Sequence, residues 1–461
     1  MDLKTLVTPR NTIGIIGFAR TGIATAQFLT NRGVKVYVTE QKKRDEIVDV
    51  DSLISLEAHG VKFEWEGHSP YFAESVDMVV ISPGVSKDQP VFSFLDARKV
   101  PIISEIELAS WFFKGKIIAV TGSNGKSTTV SLIHHILKYA GFDSYLAGNI
   151  GTPFVSVLDK SSNKSYVTLE LSSFQLDDIK YFKPNSAIIL NITEDHLDRY
   201  VNIDDYKKSK FRIFENMNSN DRIVINCADP IIASSEITNS SEKIYINKLN
   251  KEGSGFFLEG MKISKKTGVG EEIVLLDAKD SISLLGPHNR FNILASWALI
   301  DNLNIPIKVL RESINTFSPL PHRLQTIAEI NKVKYINDSK ATNPASMEVA
   351  LKSFKDNSII LIAGGYDKHN DFSCLTDLVS NKCKFILGIG KLGKDLVDLW
   401  NKNSEYVKTL QKAIIKAFEI AQPGDNVLLS PGCASFDQFN NFEHRGQVFV
   451  DLVKEIEERN A

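Results

Sequence analysis

KIIAVTGSNGKSTTVSLIHHIL, residues 116 to 137, decides the fold. A run of β-branched and small apolar residues, Lys116 to Thr121, enters a turn that contains Gly122 and Gly125. It leaves as a segment whose apolar positions, Val130, Ile133, Ile136 and Leu137, recur at helical spacing. Strand, glycine turn and helix in that order make a phosphate cradle. Backbone N–H groups of the loop and first helical turn point at the anion, and the helix N-terminus adds about half a positive charge. Lys126 is placed to reach the β and γ phosphates of a nucleotide and Ser127 to hold Mg²⁺. One departure from the general G-x-x-x-x-G-K-[ST] pattern stands at its first glycine, which is Val120 here.

Working outward, short apolar runs ending at Gly, Ser or Asn recur on both sides: TIGIIG, VKVYVTE and MVVISPG before the loop, and YVTLELS, SAIILNIT, DRIVINC, SIILIAGG, CKFILGIG and NVLLSPG after it. Helically spaced segments such as IATAQFLTNRG separate many of them, which predicts parallel sheets with crossover helices. The runs fall into three groups, with expected boundaries at 1–104, 105–319 and 320–461; Pro90 and Pro101 mark the first exit and the turn-rich SPLPHR the second. Residues 240 to 285 read instead as short hairpin strands, an antiparallel excursion inside the second group. A length of 461 residues accommodates three such domains.

Composition narrows the function classes. The chain is 43% hydrophobic and 24% charged, with 54 Lys plus Arg against 56 Asp plus Glu, a net charge of −2. Bulk attraction to nucleic acid or to an anionic membrane is not indicated, so any anion specificity comes from placed residues. The four cysteines show no C-x-x-C spacing, which argues against structural zinc and a disulfide framework. No run approaches the ~18 apolar residues of a membrane span, and the N-terminus reads as a first strand, not a signal peptide. A cytoplasmic, reduced, monomeric protein without membrane insertion is expected.

Two further signals flank the loop. Gly17-Phe18-Ala19-Arg20-Thr21-Gly22 follows the strand TIGII, and the next strand ends at Glu40, near the spacing at which an acid meets a ribose. Ala19 stands where the dinucleotide fingerprint has its second glycine, so the turn leaves open NAD, another nucleotide diphosphate or neither. The segments LELSSFQLDDI (169–179) and NITEDHLDRY (191–200) each begin at a strand end after the loop, where doubly wound folds place ligands. Glu170, Asp195, His196 and Asp198 are therefore candidates for Mg²⁺ and for the transferring phosphoryl group.

Taken together, TGSNGKSTT, GNIG, LELSSFQL, NITEDHLDRY, KFRIFEN, GPHNRFN, PHRLQ, NDSKATNP, GGYDKHNDF and SPGCASFDQFNNFEHRG resemble, in order and over essentially the whole chain, the ATP-dependent Mur ligases of peptidoglycan synthesis. The resemblance implies three α/β domains: a Rossmann-like N-terminal domain for the UDP part of the substrate, a central P-loop ATPase-like domain with a parallel sheet plus a small antiparallel sheet, and a Rossmann-like C-terminal domain. SSFQL and SPGCASFDQF point to addition of D-glutamate to UDP-N-acetylmuramoyl-L-alanine through an acyl phosphate, with ATP and Mg²⁺ as cofactors and small molecules as the partners.

Residue by residue, the resemblance implies uridine diphosphate contacts from Phe18, Ala19, Arg20, Thr21, Glu40, Ser82 and Gly84. ATP would lie on Gly122, Ser123, Asn124, Gly125, Lys126, Ser127 and Thr128, with Asn289 and Asn292 near the nucleotide and Arg323 and Asp338 on adenine and ribose. Ser127, Glu170, His196 and a carbamylated Lys210 match metal-site positions, and the chemistry would fall to Lys126, His196, Lys210 and Asn149. Lys340, Thr342, Lys368, Ser435 and Phe442 match the amino-acid end. Two other readings remain open at the level of sequence. One is an amide ligase of folylpolyglutamate type, distinguished by whether a UDP-muramoyl substrate drives phosphate release; the other is a nucleotide-binding switch or redox protein, favoured if NAD and no ATP is retained.

Overall fold

The computed structural model describes residues 2–193, 200, 202–277, 279–280, 282, 284, 286–318, 321–366 and 370–460. The first sheet contains β1 (Thr12–Ile16), β2 (Lys35–Thr39), β3 (Lys62–Glu64), β4 (Met78–Ile81) and β5 (Ile102–Ser104), all parallel, in the order β3-β2-β1-β4-β5. The order reverses between β1 and β4, so the loops after these two strands border a crevice. Gly17 and Ser82 occupy those loops, and the Ser82 hydroxyl donates to the Gly17 carbonyl at 3.2 Å.

The second sheet has β6 (Lys116–Thr121), β7 (Ser144–Gly148), β8 (Tyr166–Glu170), β9 (Ser186–Ile189), β10 (Arg222–Asn226), β11 (Glu242–Ile246), β12 (Gly255–Glu259), β13 (Lys262–Lys266) and β14 (Glu272–Leu276). Its order is β14-β13-β12-β11-β10-β9-β6-β8-β7. The expected antiparallel excursion is present from β12 to β14, but two details differ from the sequence expectation. It continues the same nine-stranded sheet, and β11 runs parallel to β10. Apolar Ile244 and Ile246 alternate with Tyr245 along β11, a pattern that serves either direction of pairing. The third sheet joins β15 (Gln325–Ile330), β16 (Val333–Asn337), β17 (Ile359–Ala363), β18 (Cys383–Ile389), β19 (Ser404–Lys408) and β20 (Asn426–Leu429) in the order β15-β16-β20-β17-β18-β19, with only the edge pair β15–β16 antiparallel. The central strand β17, buried at every position, is covered on both faces by helices, which is why its sequence is a continuous apolar run.

Contacts divide the chain into two compact units, 1–277 with 292–314, and 278–291 with 315–461. The first two sheets share one unit because a short helix, Glu105–Ser110, ties them together. The fully buried Glu107 carboxylate accepts the backbone N–H groups of Lys180, Tyr181 and Phe182 and the Trp111 indole N–H, all at 2.7 to 2.9 Å. Lys87, in the loop after β4, pairs with Asp178 at 2.6 Å.

Glu105, on the same helix, accepts the Val155 N–H at 2.7 Å in a fully buried position. Burial, opposed by the backbone donors of residues 154 and 155 and by Arg20, raises its carboxyl from 4.5 to about 7. The acid is then protonated in the folded chain and ionised in the unfolded one across that window. The stability it contributes is present below about 4.5 and is lost as pH rises through about 7. Glu105→Gln is expected to flatten this dependence: between pH 5 and pH 8 the wild-type midpoint of thermal unfolding falls further than that of the variant. Parallel curves would show that Glu105 does not titrate there.

Candidate active site

The loop after β6 folds as its glycines dictate. Gly122 has φ +147° and Gly125, the N-cap of the helix Lys126–Tyr139, has φ +86°, a region that L side chains avoid. A Cβ at Gly125 would also stand 2.6 Å from Asn292 Oδ1, so glycine here answers both backbone and neighbour. The Lys126 ammonium arches over the loop and donates to the carbonyls of Gly122 and Ser123, both at 2.7 Å. Ser127 and Thr128 are buried in the first helical turn, which begins behind a residue with no side chain to cap it.

A residue that sequence reasoning passed over holds this loop in shape. Asn191, two residues after β9, accepts the Asn124 N–H at 2.8 Å and donates to the Asn124 carbonyl at 3.1 Å. Ser123 is fixed similarly: its hydroxyl donates to the Thr193 carbonyl and accepts the Thr193 N–H, both at 3.0 Å. The position of Asn191, first in the NITEDHLDRY segment and three residues ahead of Glu194, was the signal available.

Strand register brings the next two candidates alongside. Val120 pairs with Glu170 across β6–β8, and Gly148 with Glu170 across β7–β8, so Asn149 and Glu170 stand at strand ends beside the loop. Asn149 Nδ2 donates to Glu170 Oε1 at 2.7 Å. Glu170 Oε2 is buried and has no hydrogen-bond partner among the described residues. An unmatched buried carboxylate oxygen next to a phosphate cradle fits a hard divalent cation, which takes oxygen ligands and shares phosphate. Lys210 is 1% exposed; its Nζ donates to the Gly122 carbonyl at 3.0 Å and lies 4.4 Å from the centroid of the Tyr206 ring. Asp195, His196 and Asp198 lie outside the described residues, as does Lys368.

The crevice of the first sheet opens into a cleft of about 1080 Å³ that reaches the second. Phe18, Ala19, Arg20, Thr21, Glu40, Ser82 and Gly84 line it at one end and Asn149 at the other. Two of these residues are already committed. The Phe18 ring is 3% exposed and packs edge-on against Phe63, with centroids 5.0 Å apart, so Phe18 offers the cleft only backbone. Glu40 Oε2 accepts the Phe18 N–H at 2.6 Å and Oε1 the Lys42 N–H at 3.1 Å; the acid first of all fastens the glycine turn.

The remaining candidates belong to the second unit, apart from Asn292, which faces Gly125 as described. Asn289 is buried in the first turn of the helix Pro287–Ile300. Beside it His288 is pushed down to about 4 by burial and by the Arg323 guanidinium, and so is neutral at pH 7. Asp338 follows β16; it accepts the Leu324 N–H at 3.2 Å and the Ser430 hydroxyl at 2.9 Å, and burial raises it to about 7 against the pull of Arg323 and Arg445. Lys340 Nζ sits 4.2 Å from the centroid of the Phe442 ring. Ser435 is buried and Thr342 half-buried.

Arg445, unassigned from sequence although its segment was quoted, binds these pieces together. Its guanidinium donates to Ser339 Oγ at 3.0 Å and to the carbonyls of Ser339, Cys433 and Ala434 at 2.9, 3.0 and 3.3 Å. The NDSKAT and SPGCAS segments are thereby locked to the helix Phe442–Asn460. Arg445→Ala leaves several buried acceptors unmatched, each costing about 1–3 kcal/mol. A loss of about 3 kcal/mol or more is expected in urea denaturation followed by a probe in the C-terminal unit; a loss under about 1 kcal/mol would show that water replaces the guanidinium.

A phosphate cradle beside an orphaned carboxylate oxygen, linked through Asn149 to a cleft that begins on a dinucleotide-type turn, defines a nucleotide-dependent α/β enzyme. Family models match most of the chain: the Mur ligase MurD-like N-terminal domain at residues 11–104, the Mur ligase middle domain at 120–300 and the Mur ligase glutamate ligase domain at 322–433. The chain belongs to the Mur ligase family and has its three-domain α/β architecture. Among its relatives is the UDP-N-acetylmuramoylalanine–D-glutamate ligase of Geobacter sp. (strain M21), 36% identical over 443 residues, which cover 95% of this chain and 96% of that one. The ligase of the same name from Caldicellulosiruptor bescii is 37% identical over 465 residues and covers 99% of both. Among solved structures, UDP-N-acetylmuramate-alanine ligase from Thermotoga maritima matches 96% of this chain with a TM-score of 0.60 at 19% identity, a likeness of fold. No described helix is long and apolar enough to cross a membrane.

Proposed function

We propose that this chain is an ATP-dependent ligase that joins the amine of D-glutamate to the L-alanine carboxylate of UDP-N-acetylmuramoyl-L-alanine, a cytoplasmic step in peptidoglycan precursor synthesis. The observation that carries the reading is the continuity of the cleft from Arg20 and Ser82 to Asn149, which adjoins Glu170 and the phosphate loop. It is a path for a substrate whose diphosphate and reactive carboxylate are far apart. Domain limits at 104 and 319 go with this reading.

A carboxylate is a poor electrophile and must first be activated. Its oxygen attacks the γ-phosphorus of ATP, ADP leaves, and an acyl phosphate forms. The amine of D-glutamate, having lost a proton, then attacks the acyl carbon, and inorganic phosphate departs with the C–O bond electrons. The protein's part is to position and to neutralise charge. Lys126 and the N–H groups from Gly122 to Thr128 hold the phosphates, while Asn149 orients Glu170. Ser127 and Glu170, with His196, would hold Mg²⁺, which when bound offsets negative charge on the phosphates. Arg323, Asp338, Asn289 and Asn292 serve the nucleoside, and Lys340, Thr342, Lys368, Ser435 and Phe442 the incoming amino acid. Closure of the site against water protects the acyl phosphate.

Phosphate release from ATP, measured with UDP-N-acetylmuramoyl-L-alanine and a panel of D- and L-amino acids, tests the proposal. D-Glutamate alone is expected to drive stoichiometric release. Equal turnover with an L-amino acid, or none with the UDP substrate, would overturn it. Ser435→Ala is expected to raise KM for D-glutamate more than that for ATP, the mark of lost ground-state binding; movement of the ATP value alone would remove Ser435 from the amino-acid pocket.

A further inference from the structure

Thr39, the last residue of β2, is fully buried, and its hydroxyl stands among three groups at and after the end of β3: the Gly67 carbonyl at 2.9 Å, Glu64 Oε1 at 3.2 Å and His68 Nδ1 at 2.7 Å. A hydroxyl has one proton to give. The carbonyl can only accept, and so can the Glu64 carboxylate, which also takes the Ser69 N–H and hydroxyl. The Thr39 proton therefore goes to one of these two. Nδ1 must carry the proton of its own short contact, since two lone pairs would otherwise face each other. The fold thus fixes the Nδ1–H tautomer of His68 and aims Nε2 away from the buried hydroxyl. Burial holds the ring below its ordinary 6.5 against the pull of Glu40 and Glu64. Above neutral pH, Nε2 is then a bare lone pair that accepts and cannot donate.

His68 is half-buried and lines the 1080 Å³ cleft at its first-sheet end. Its Nε2 has no hydrogen-bond partner among the described residues and is not sealed from solvent. The diphosphate reading places phosphate at the crevice between β1 and β4. From there β3 is two strands out, about 10 Å across the sheet, on the side toward which a nucleoside extends past an acid following β2. We propose that His68 Nε2 accepts the imide N3–H of a uracil ring and so selects uridine over cytidine nucleotides in this cleft. The inference rests on the UDP-linked substrate of the proposed function. Uracil presents an N–H between two carbonyls, whereas cytosine presents a bare N3 at the same place and would set lone pair against lone pair. The exposed side chains of Gln41 and Lys42, which line the same end, supply donors for the flanking carbonyls.

Calorimetric titration of the full chain at pH 8 with UDP, CDP and 3-methyluridine diphosphate tests this; the methylated base keeps both carbonyls and loses the N–H. CDP and the methylated nucleotide are each expected to bind wild type at least about tenfold more weakly than UDP, the effect of leaving one polar atom unmatched. His68→Asn keeps an N–H for the Thr39 hydroxyl and has no atom at Nε2. It is expected to weaken UDP about tenfold and CDP by less than about twofold, and His68→Gln, whose amide oxygen can reach the Nε2 position, to restore part of the loss. The imidazole ¹⁵N spectrum of wild type is expected to show His68 protonated at Nδ1, with the Nε2 signal moving when UDP binds and not when CDP does. UDP and CDP bound equally by wild type, or weakened equally by His68→Asn as a contact to ribose would require, overturns the inference and leaves the ligase reading standing. Binding of neither UDP nor UDP-N-acetylmuramoyl-L-alanine overturns both. If a variant fails to fold, the three nucleotides and the ¹⁵N spectrum of the wild-type chain decide.

Discussion

Lys126→Ala is expected to lower kcat/KM for ATP at least about 10³-fold, a loss of about 4 kcal/mol of transition-state stabilisation. Binding of the UDP substrate is expected to stay within about threefold of wild type. The separation follows from where the groups stand. Arg20, Thr21 and Ser82 line the end of the cleft on the first sheet, whereas Lys126 arches over the loop that ends β6. Removing the ammonium also removes its hydrogen bonds to the Gly122 and Ser123 carbonyls. Lys126 is only half-buried, however, so those carbonyls regain water and stability should fall by no more than about 1 kcal/mol. Steady-state kinetics, calorimetric titration of the UDP substrate and thermal unfolding check the three parts. Equal loss of catalysis and of UDP-substrate binding would refute the separation of the two ends.

What the sequence made legible, and what it hid, divides along physical lines. All ten apolar runs read as strands are strands, among them β6, β9, β17 and β20, because a parallel strand covered on both faces is written as an unbroken apolar run. The strands left unread are short or lie toward sheet margins. β3 and β5 have three residues each, β7 is an edge, and β15 alternates buried with open positions in an antiparallel edge pair. The loop glycines were legible for the same reason that they are needed: a left-handed backbone leaves few other choices.

Residues that hold the site in shape were not legible. Asn191, Glu107 and Arg445 each act through backbone groups distant in sequence, and nothing local marks an Asn, Glu or Arg that bonds a peptide 67, 73 or 106 positions away. Phe18 shows the converse. Its place in a nucleotide-type turn reads as a ligand contact, while Phe63 and Trp65, unremarkable in sequence, draw its ring into the core. Motifs thus point to the candidate site, and long-range hydrogen bonds decide which motif residues remain available to a ligand.

Lys210→Ala is expected to abolish ligation, and a small carboxylic acid such as acetate is expected to restore part of it. The expectation rests on the carbamate that the family resemblance implies at Lys210. Lys210 has 1% of its surface exposed, and its nitrogen already donates to the Gly122 carbonyl. A carbamate keeps an N–H for that bond and extends two anionic oxygens beyond it, whereas truncation to Ala leaves a buried space that a small acid can enter. Chemistry sets the condition for forming it: only a neutral amine adds CO₂, and an ordinary lysine with a pKa of about 10.4 is neutral in roughly one molecule in 2,500 at pH 7. Capture of the carbamate by a cation at the metal site would draw that small fraction forward. The Tyr206 ring, 4.4 Å from Nζ, weighs on the other side, because a π face favours an ammonium and not an anion. Rescue discriminates between the two states. Recovery with acetate, together with a carbon signal from ¹³C-bicarbonate that is present in wild type and missing from the variant, establishes the carbamate. Recovery with methylammonium and none with acetate would assign Lys210 the role of a plain cation that holds the Gly122 carbonyl in the phosphate loop.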